Sequence, residues 1–342
     1  MDLANLNAVA EKLVAPGKGL LAADESTGTI KKRFDSIGLQ STPETRRDYR
    51  EMLLGADEAM QNYVSGVILF EETLHQHAAD ATATPLVALI ERAGAVPGIK
   101  VDKGTTPLAG FPGETITQGL DGLGERLDSH RAQGAWFAKW RAVIDIAAGV
   151  PTWAAIKANA HALARYAALC QAHGLAPIVE PEVLMDGDHG IEACEAVTRL
   201  TLKTVFQELF EQRVALEGMV LKPNMVVAGA KHGRQVAVEE VARRTLAVLK
   251  DCVPCSVPGI AFLSGGQSAE EATAHLDAMN RMGPLPWKLT FSYGRALQHA
   301  PLTVWAGRRE NVAAAQRAFA HRARMNSLAS LGRWEGALEQ AA

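Results

Sequence analysis

The sequence predicts an α/β protein built as one (β/α)8 barrel, a TIM-barrel fold in a single domain. Short apolar segments recur eight times along the 342 residues, and a longer stretch with helical spacing follows each of them. No linker rich in Pro, Gly or Ser divides the chain. Alternating strands and helices are typical of a parallel sheet that is covered on both faces. Eight such units in about 300 residues favour a closed barrel over an open sheet.

Eight segments have the composition of buried strands. They are residues 19–24, 63–69, 98–103, 135–141, 176–182, 218–224, 259–265 and 287–293. Helical spacing is clearest in 238–252 and 269–282. We expect one domain over residues 1–342, with a short N-terminal helix in 1–15 and a C-terminal tail from about 328 to 342.

Composition excludes several classes of function. The net charge of −3 gives no reason to expect nucleic acid or a membrane surface as a partner. Four cysteines are too few for a disulfide framework in a chain of this length, and neither a signal peptide nor a membrane-spanning run is present. The sequence therefore predicts a cytoplasmic protein in which an anionic ligand would be met by a local basic cluster.

Ionisable or hydroxyl side chains mark the C-terminal ends of seven of the eight predicted strands. A charge in a buried strand is costly unless it is paired, and barrel enzymes place their sites where the C-terminal strand ends meet. Each side chain alone could be a solvated strand end, but together they predict one basic pocket that also contains carboxylates. They are Asp24, Lys100, Lys139, Arg141, Glu180, Glu182, Lys222, Ser264 and Arg295.

Lys222 follows the apolar residues 218–221. A lysine in this position is either a structural ion-pair partner or a nucleophile that forms a Schiff base with a carbonyl group. An amine is largely protonated at neutral pH, and both desolvation and a neighbouring cation favour its neutral form. Lys139 and Arg141 could supply that neighbouring charge.

Glu180 and Glu182 are two residues apart, so they point to the same side of a strand. Formation of an iminium ion needs a proton shuttle, and a carboxyl group beside a lysine can donate and retrieve that proton. Two carboxyl groups this close would tend to share a proton. The alternative is that both acids only neutralise the lysines.

Asp24 ends the first predicted strand. A carboxylate there could accept the hydroxyl proton that is released when a carbon–carbon bond breaks, or it could cap the following helix. Ser26 and Thr29 could likewise be helix caps or donors to a phosphate.

Two glycine-containing runs predict phosphate binding. Ser264-Gly265-Gly266 offers a hydroxyl and successive amides, and Gly294-Arg295 adds a guanidinium that can bind phosphate through two hydrogen bonds. Both runs follow the last two predicted strands, where barrel enzymes often hold phosphate.

Metal and redox chemistry have weaker support. His75, His77 and the run 185–190 contain metal-ligand types, but no complete ligand set accompanies them on a strand end. Cys252 and Cys255 have CxxC spacing but follow a helix instead of opening one. The sequence therefore predicts neither a metal nor another cofactor.

Long segments of the chain resemble the class I fructose-1,6-bisphosphate aldolases. The matching runs are APGKGLLAADESTGTIKKRF, GIKVDKGTTPLAG, TQGLDGL, FAKWR, IVEPEVL, LKPNM, FLSGGQS, PWKLTFSYGRALQ and ARMNSLASLG. They extend from residue 15 to about residue 332, so the resemblance covers nearly the whole chain.

The resemblance implies a role for each matching position. Lys222 would be the Schiff-base lysine, and Glu180 would be the general acid/base with Glu182 beside it. Lys139 would be the lysine that assists Lys222, with Arg141 as its neighbour. Asp24 would be the aspartate near the C4 hydroxyl. The C1 phosphate would meet Ser264, Gly265, Gly266, Gly294 and Arg295. The C6 phosphate would meet Ser26, Thr29, Arg33 and Lys100, and Ser292 would be another ligand contact.

The implied reaction is the reversible cleavage of fructose 1,6-bisphosphate to dihydroxyacetone phosphate and glyceraldehyde 3-phosphate, in glycolysis or gluconeogenesis, by a homo-oligomer such as a tetramer. Two alternatives are a lyase for tagatose or sedoheptulose bisphosphate and a phosphosugar-binding protein without turnover. In longer family members a C-terminal tyrosine assists proton transfer to the enamine. The tyrosines of this sequence are Tyr49, Tyr63, Tyr166 and Tyr293, so we expect another group or water to take that role.

Overall fold

The computed structural model describes residues 2–233 and 235–340 and contains a closed barrel of eight parallel strands. The strands of the chain are β1 (Gly19–Ala23), β2 (Val64–Leu69), β3 (Val96–Lys100), β4 (Thr105–Pro107), β5 (Thr115–Thr117), β6 (Phe137–Ile144), β7 (Ala176–Val183), β8 (Val220–Leu221), β9 (Gly259–Phe262) and β10 (Lys288–Tyr293). The barrel order is β1-β2-β3-β6-β7-β8-β9-β10, and β10 pairs with β1 to close it. The predicted barrel is confirmed.

Helices connect and surround the strands. They are α1 (Leu3–Leu13), α2 (Thr27–Asp35), α3 (Pro43–Leu54), α4 (Asp57–Asn62), α5 (Glu71–Leu74), α6 (Leu86–Arg92), α7 (Leu123–Ala132), α8 (Trp153–Ala172), α9 (Ile191–Glu211), α10 (Val238–Cys252), α11 (Ala269–Arg281), α12 (Arg295–Trp305) and α13 (Val312–Ser330).

Alternation along the strands separates an apolar floor from a charged mouth. Leu20, Phe137, Ile178 and Val220 point into the lower barrel, where residues of α1 pack against them and close that end. A Cβ atom at Gly98 would lie 2.2 Å from the Phe137 ring, so only glycine leaves room for this ring inside the barrel. Two residues beyond Phe137, Ile178 and Val220 lie the charged residues Lys139, Glu180 and Lys222. On the first strand Ala22 comes next, and Asp24 lies four residues beyond Leu20.

Four strand predictions differ from the structure by two residues or more at an end. The third strand is Val96–Lys100 instead of 98–103, and the sixth, β8, contains only Val220–Leu221 instead of 218–224. The fourth is Phe137–Ile144 instead of 135–141, and the seventh is Gly259–Phe262 instead of 259–265. The ladder ends early at β8 because Pro223 has no N–H to donate, although the Lys222 N–H still bonds to the Val179 carbonyl at 2.8 Å. The β4–β5 hairpin was not predicted, since strands of three residues are too short to show a period.

Helices lie near both ends of the described chain. The N-terminal helix is Leu3–Leu13, and α13 continues to Ser330, so the predicted tail begins about three residues too early. Beyond α13 the Trp334 N–H donates to Asp277 on α11, at 2.8 Å, which holds this segment against the barrel's outer helices. In the described part of the chain, no helix combines the length and the apolar character that crossing a membrane requires.

Candidate active site

A cavity of about 510 Å³ opens at the C-terminal ends of the barrel strands. All of the site residues predicted from the sequence line it: Asp24, Ser26, Thr29, Arg33, Lys100, Lys139, Arg141, Glu180, Glu182, Lys222, Ser264, Gly265, Gly266, Ser292, Gly294 and Arg295. The lining also contains residues that were not predicted, namely Ala22, Glu25, Asp102, Gly104, Thr105, Asp186 and Leu263.

Strand geometry brings the charged side chains together. Lys139 on β6 and Glu180 on β7 each lie two residues beyond an interior apolar side chain, so they also point inward. Asp24 and Lys222 follow β1 and β8 directly and continue the same alternation. Strands that are distant in sequence thus contribute to one layer above the apolar floor.

Four of these side chains form a buried ionic chain. The Lys139 Nζ atom lies 2.7 Å from Asp24 Oδ2 and 3.3 Å from Glu180 Oε2, while Lys222 Nζ lies 3.2 Å from Glu180 Oε1. The side chain of Lys222 is only 5% exposed. Buried charges are tolerated when each has a partner of opposite sign, and this chain alternates in sign along its length.

The charges shift the pKa values of this chain in a consistent direction. Burial by itself would raise the pKa of Asp24 and of Glu180, but Lys139 and Lys222 outweigh burial and hold both values below their ordinary range. Burial would lower the pKa of Lys139, but Asp24 and Glu180 outweigh it and raise the value. All three groups are therefore charged at neutral pH.

Glu182 has a different environment. Its Oε2 atom accepts a hydrogen bond from Arg141 Nη1 at 2.9 Å, and burial, only partly offset by Arg141, raises its pKa above the ordinary value. The prediction that Glu180 and Glu182 share a proton is wrong, because each carboxylate has its own cationic partner. Lys139 and Arg141, which were predicted to supply a charge near Lys222, are themselves paired with carboxylates.

Asp102 completes the rim beside Arg141. Its carboxylate lies 3.3 Å from Lys100 Nζ and accepts from the backbone N–H groups of Arg141 and Gly104, at 3.3 and 3.2 Å. Asp102 thereby pairs with the Lys100 cation and holds the backbone of Arg141. The signal was visible in the sequence, because Asp102 lies in the predicted strand 98–103 beside Lys100.

Glu25, which was not predicted, anchors Arg33. The buried Glu25 carboxylate pairs with Arg33 and, at 2.7 Å, with Arg50, and it accepts from Gln298 Nε2 at 2.9 Å. This places Arg33 Nη2 3.4 Å from the position that a Cβ atom of Gly294 would occupy. The resemblance gave Arg33 to the C6 phosphate and Gly294 to the C1 phosphate. The residues predicted to bind the two phosphates are therefore contiguous where Arg33 adjoins Gly294.

The loop after β9 has the geometry of a tight turn. The Gln267 N–H points at the Ser264 carbonyl at 3.4 Å, and Gly266 at the third position has φ +70°, a conformation that favours glycine. A Cβ atom at Gly266 would also lie 2.2 Å from Met185 Cγ. On the adjacent strand Ser292 is 1% exposed, and its hydroxyl has no hydrogen-bond partner among the described residues. The turn amides and this hydroxyl are suited to an anionic ligand.

The alternative role of Asp24 as a helix cap is wrong. Ser26 caps α2, with its Oγ atom accepting from the Thr29 N–H at 3.4 Å, and the Ser26 and Thr29 hydroxyls lie 3.1 Å apart. Both hydroxyls still line the cavity, so capping and ligand contact are compatible here.

The four tyrosines lie outside this site. Tyr49, Tyr166 and Tyr293 are buried and donate to other groups, Tyr63 precedes β2 at the opposite end of the barrel, and none of the four lines the cavity. Among residues 2–233 and 235–340, no group of three or more His, Cys, Asp or Glu side chains is arranged to hold a metal ion.

The barrel and its buried lysine–carboxylate chain define a lyase that can attack a carbonyl carbon with an amine. The family model described as fructose-bisphosphate aldolase class-I matches residues 5–342. The chain belongs to the class I fructose-bisphosphate aldolases.

Relatives of known sequence and structure agree with this membership. The chain is 53% identical to a probable class 1 fructose-bisphosphate aldolase of Xanthomonas campestris, over 98% of this chain and all of the relative. It is 50% identical to human fructose-bisphosphate aldolase C, over 98% of this chain and 92% of the relative. The structure of the Plasmodium falciparum aldolase in complex with TRAP and a small-molecule inhibitor superposes with a TM-score of 0.95 at 49% identity, covering 98% of this chain and 96% of that one.

Proposed function

We propose that this enzyme cleaves fructose 1,6-bisphosphate through a Schiff base between Lys222 Nζ and the C2 carbonyl carbon of the sugar. The observation that carries the proposal is the position of Lys222, buried at the centre of the mouth and 3.2 Å from Glu180. A lysine with a purely structural role would need only this ion pair and no open cavity beside it. Here the lysine lies in an open cavity lined by groups that suit both ends of a sugar bisphosphate.

Glu180 is placed to move protons during imine formation. The ammonium group of Lys222 must lose a proton before it attacks, and Glu180 Oε1 lies close enough to accept it. The same carboxyl group then gives the proton to the carbinolamine hydroxyl, which leaves as water. Because Lys139 and Lys222 lower the pKa of Glu180, the carboxyl group does not retain the proton.

Asp24 and Lys139 serve the cleavage step. The protonated imine accepts the electron pair of the breaking C3–C4 bond, while Asp24 accepts the proton of the C4 hydroxyl. Lys139, 2.7 Å from Asp24 and 3.3 Å from Glu180, keeps both carboxylates oriented toward the reacting carbon atoms. Its raised pKa means that Lys139 stays charged throughout.

Two groups of side chains at the cavity would bind the two phosphates. The turn amides of Gly265 and Gly266, the Ser264 and Ser292 hydroxyls, Gly294 and Arg295 would bind the C1 phosphate. Ser26, Thr29 and Lys100 would bind the C6 phosphate. Arg33, which adjoins Gly294, can reach toward the C1 side as well as the C6 side. Fixing both anionic ends would hold the reacting bond over Lys222.

Reduction with borohydride in the presence of fructose 1,6-bisphosphate tests this proposal. We expect irreversible inactivation and one added triose phosphate or hexose bisphosphate per chain, located on Lys222 by peptide mass spectrometry. Activity after dialysis against EDTA should be unchanged, because Lys222 supplies the electron sink. Activity that falls with EDTA and returns with a divalent metal, or an adduct on another lysine, would contradict the proposal.

We further propose that the enzyme is a homo-oligomer, a tetramer in line with its family, and that it works in the cytoplasm on free sugar phosphates. Membership of the family supports the oligomer. Among the described residues seven large apolar side chains are exposed, and Phe210 at 78% and Trp153 at 58% are the most exposed of them. The relative from Arabidopsis thaliana named as cytosolic aldolase 4 supports the location.

Light scattering coupled to size-exclusion chromatography checks the oligomeric state. We expect a mass four times that of the 36.5 kDa chain. A mass of one chain at micromolar concentration would refute the oligomer while leaving the site unaffected.

A further inference from the structure

The guanidinium of Arg295 is held by a single contact. Arg295 is exposed at the mouth of the barrel, and its Nη2 atom donates to the Gln267 carbonyl at 3.1 Å. Within the described part of the chain this is the one hydrogen bond that the guanidinium makes. A long, flexible side chain loses much conformational freedom when it binds an anion, so a contact that orders it beforehand favours binding.

Gln267 is itself held from the opposite side. Its side chain is buried, and its Oε1 atom lies 2.7 Å from Nδ1 of His275. The Nε2 atom of Gln267 has no partner among the described residues, so the bond from His275 is the one polar anchor of this side chain there. Because Gln267 is the last residue of the turn Ser264–Gln267, its side-chain anchor also fixes the direction in which its carbonyl points.

His275 is suited to this role at neutral pH. It lies on the second turn of α11 and is 6% exposed. Burial, partly offset by Glu271 and Glu239, lowers the pKa of His275 to about 4. A neutral imidazole carries one N–H, and with that proton on Nδ1 it donates to the amide oxygen of Gln267.

We propose that His275 is a positioning residue for the phosphate contact of Arg295 and acts through Gln267. The inference rests on the proposed function, which gives Arg295 to the C1 phosphate. His275 touches neither substrate nor reacting atoms. It fixes the Gln267 carbonyl, which orders the guanidinium before the substrate arrives.

Substitution of His275 gives a specific kinetic result. In His275→Leu we expect KM for fructose 1,6-bisphosphate to rise about tenfold while kcat stays within about twofold, since ground-state and transition-state binding of the phosphate weaken together. Inorganic phosphate should become a weaker competitive inhibitor by a similar factor. His275→Asn keeps an N–H near the position of Nδ1, so it should restore KM to within about twofold of the parent value.

Two further variants separate this role from mere stabilisation. Thr273 lies on the same helix and is fully buried, with hydrogen bonds to the Ala269 carbonyl and to Asn326. Thr273→Val should lower Tm without changing KM, and Arg295→Ala should raise KM at least as much as His275→Leu does. If Arg295→Ala raises KM but His275→Leu does not, or if Thr273→Val raises KM equally, the inference about His275 is refuted. If Arg295→Ala leaves KM unchanged, the phosphate assignment itself is refuted.

Discussion

Replacing Lys222 with methionine should abolish sugar cleavage, with kcat lower by about 10⁵-fold or more, as for loss of other covalent nucleophiles. Methionine keeps much of the length and apolar character of the lysine stem but cannot attack a carbonyl. Glu180 loses one of its two cations and keeps Lys139 at 3.3 Å, so we expect the protein to remain folded. Steady-state rates and trapping with borohydride measure the loss, and the trapped adduct should disappear with the activity.

Lys203→Met provides the matched control. Lys203 is an exposed residue of α9, far from the barrel mouth in the fold, and its substitution should leave both rate and adduct unchanged. Cleavage at an undiminished rate in Lys222→Met would remove the basis for the covalent mechanism.

Glu180→Gln should lower kcat by about 10²–10⁴-fold, the usual contribution of a general acid/base. The amide cannot accept the proton of the Lys222 ammonium group or return one to the carbinolamine. The slow step should therefore be proton transfer and not attack by the amine. Single-turnover measurements should therefore show slower formation of the borohydride-trappable imine.

Glu208→Gln tests whether loss of any buried carboxylate would have this effect. Glu208 on α9 is buried and contacts Lys157 and His161, away from the cavity. We expect Glu208→Gln to reduce stability without changing kcat. If both variants lose activity in parallel with Tm, Glu180 has a structural role and the proton shuttle lies elsewhere.

The periodicity of the sequence was sufficient for the barrel and for most of the site. Strands buried on both faces are continuous apolar runs, so a charge such as Lys139 or Glu180 within one of them is conspicuous. Because the C-terminal ends of parallel strands meet at one mouth, the topology alone placed these charges together. Glu25 was missed because it directly follows Asp24, and Asp102 was missed because the stronger candidate Lys100 lies in the same predicted strand. Their importance comes from Arg33, Arg50 and Lys100, which reach them only in the folded chain.

The sequence by itself determined the fold and the types of residue that the strands bring to the barrel mouth, since these depend on local period and on chemical character. Only the tertiary structure decided which charge neutralises which. Glu180 bridges Lys139 and Lys222, whereas Glu182 pairs with Arg141, and that partition sets the opposite pKa shifts of two acids that are neighbours on one strand. The physical reason is that Coulomb interactions and desolvation depend on distances across the barrel, and spacing along the chain does not encode those distances.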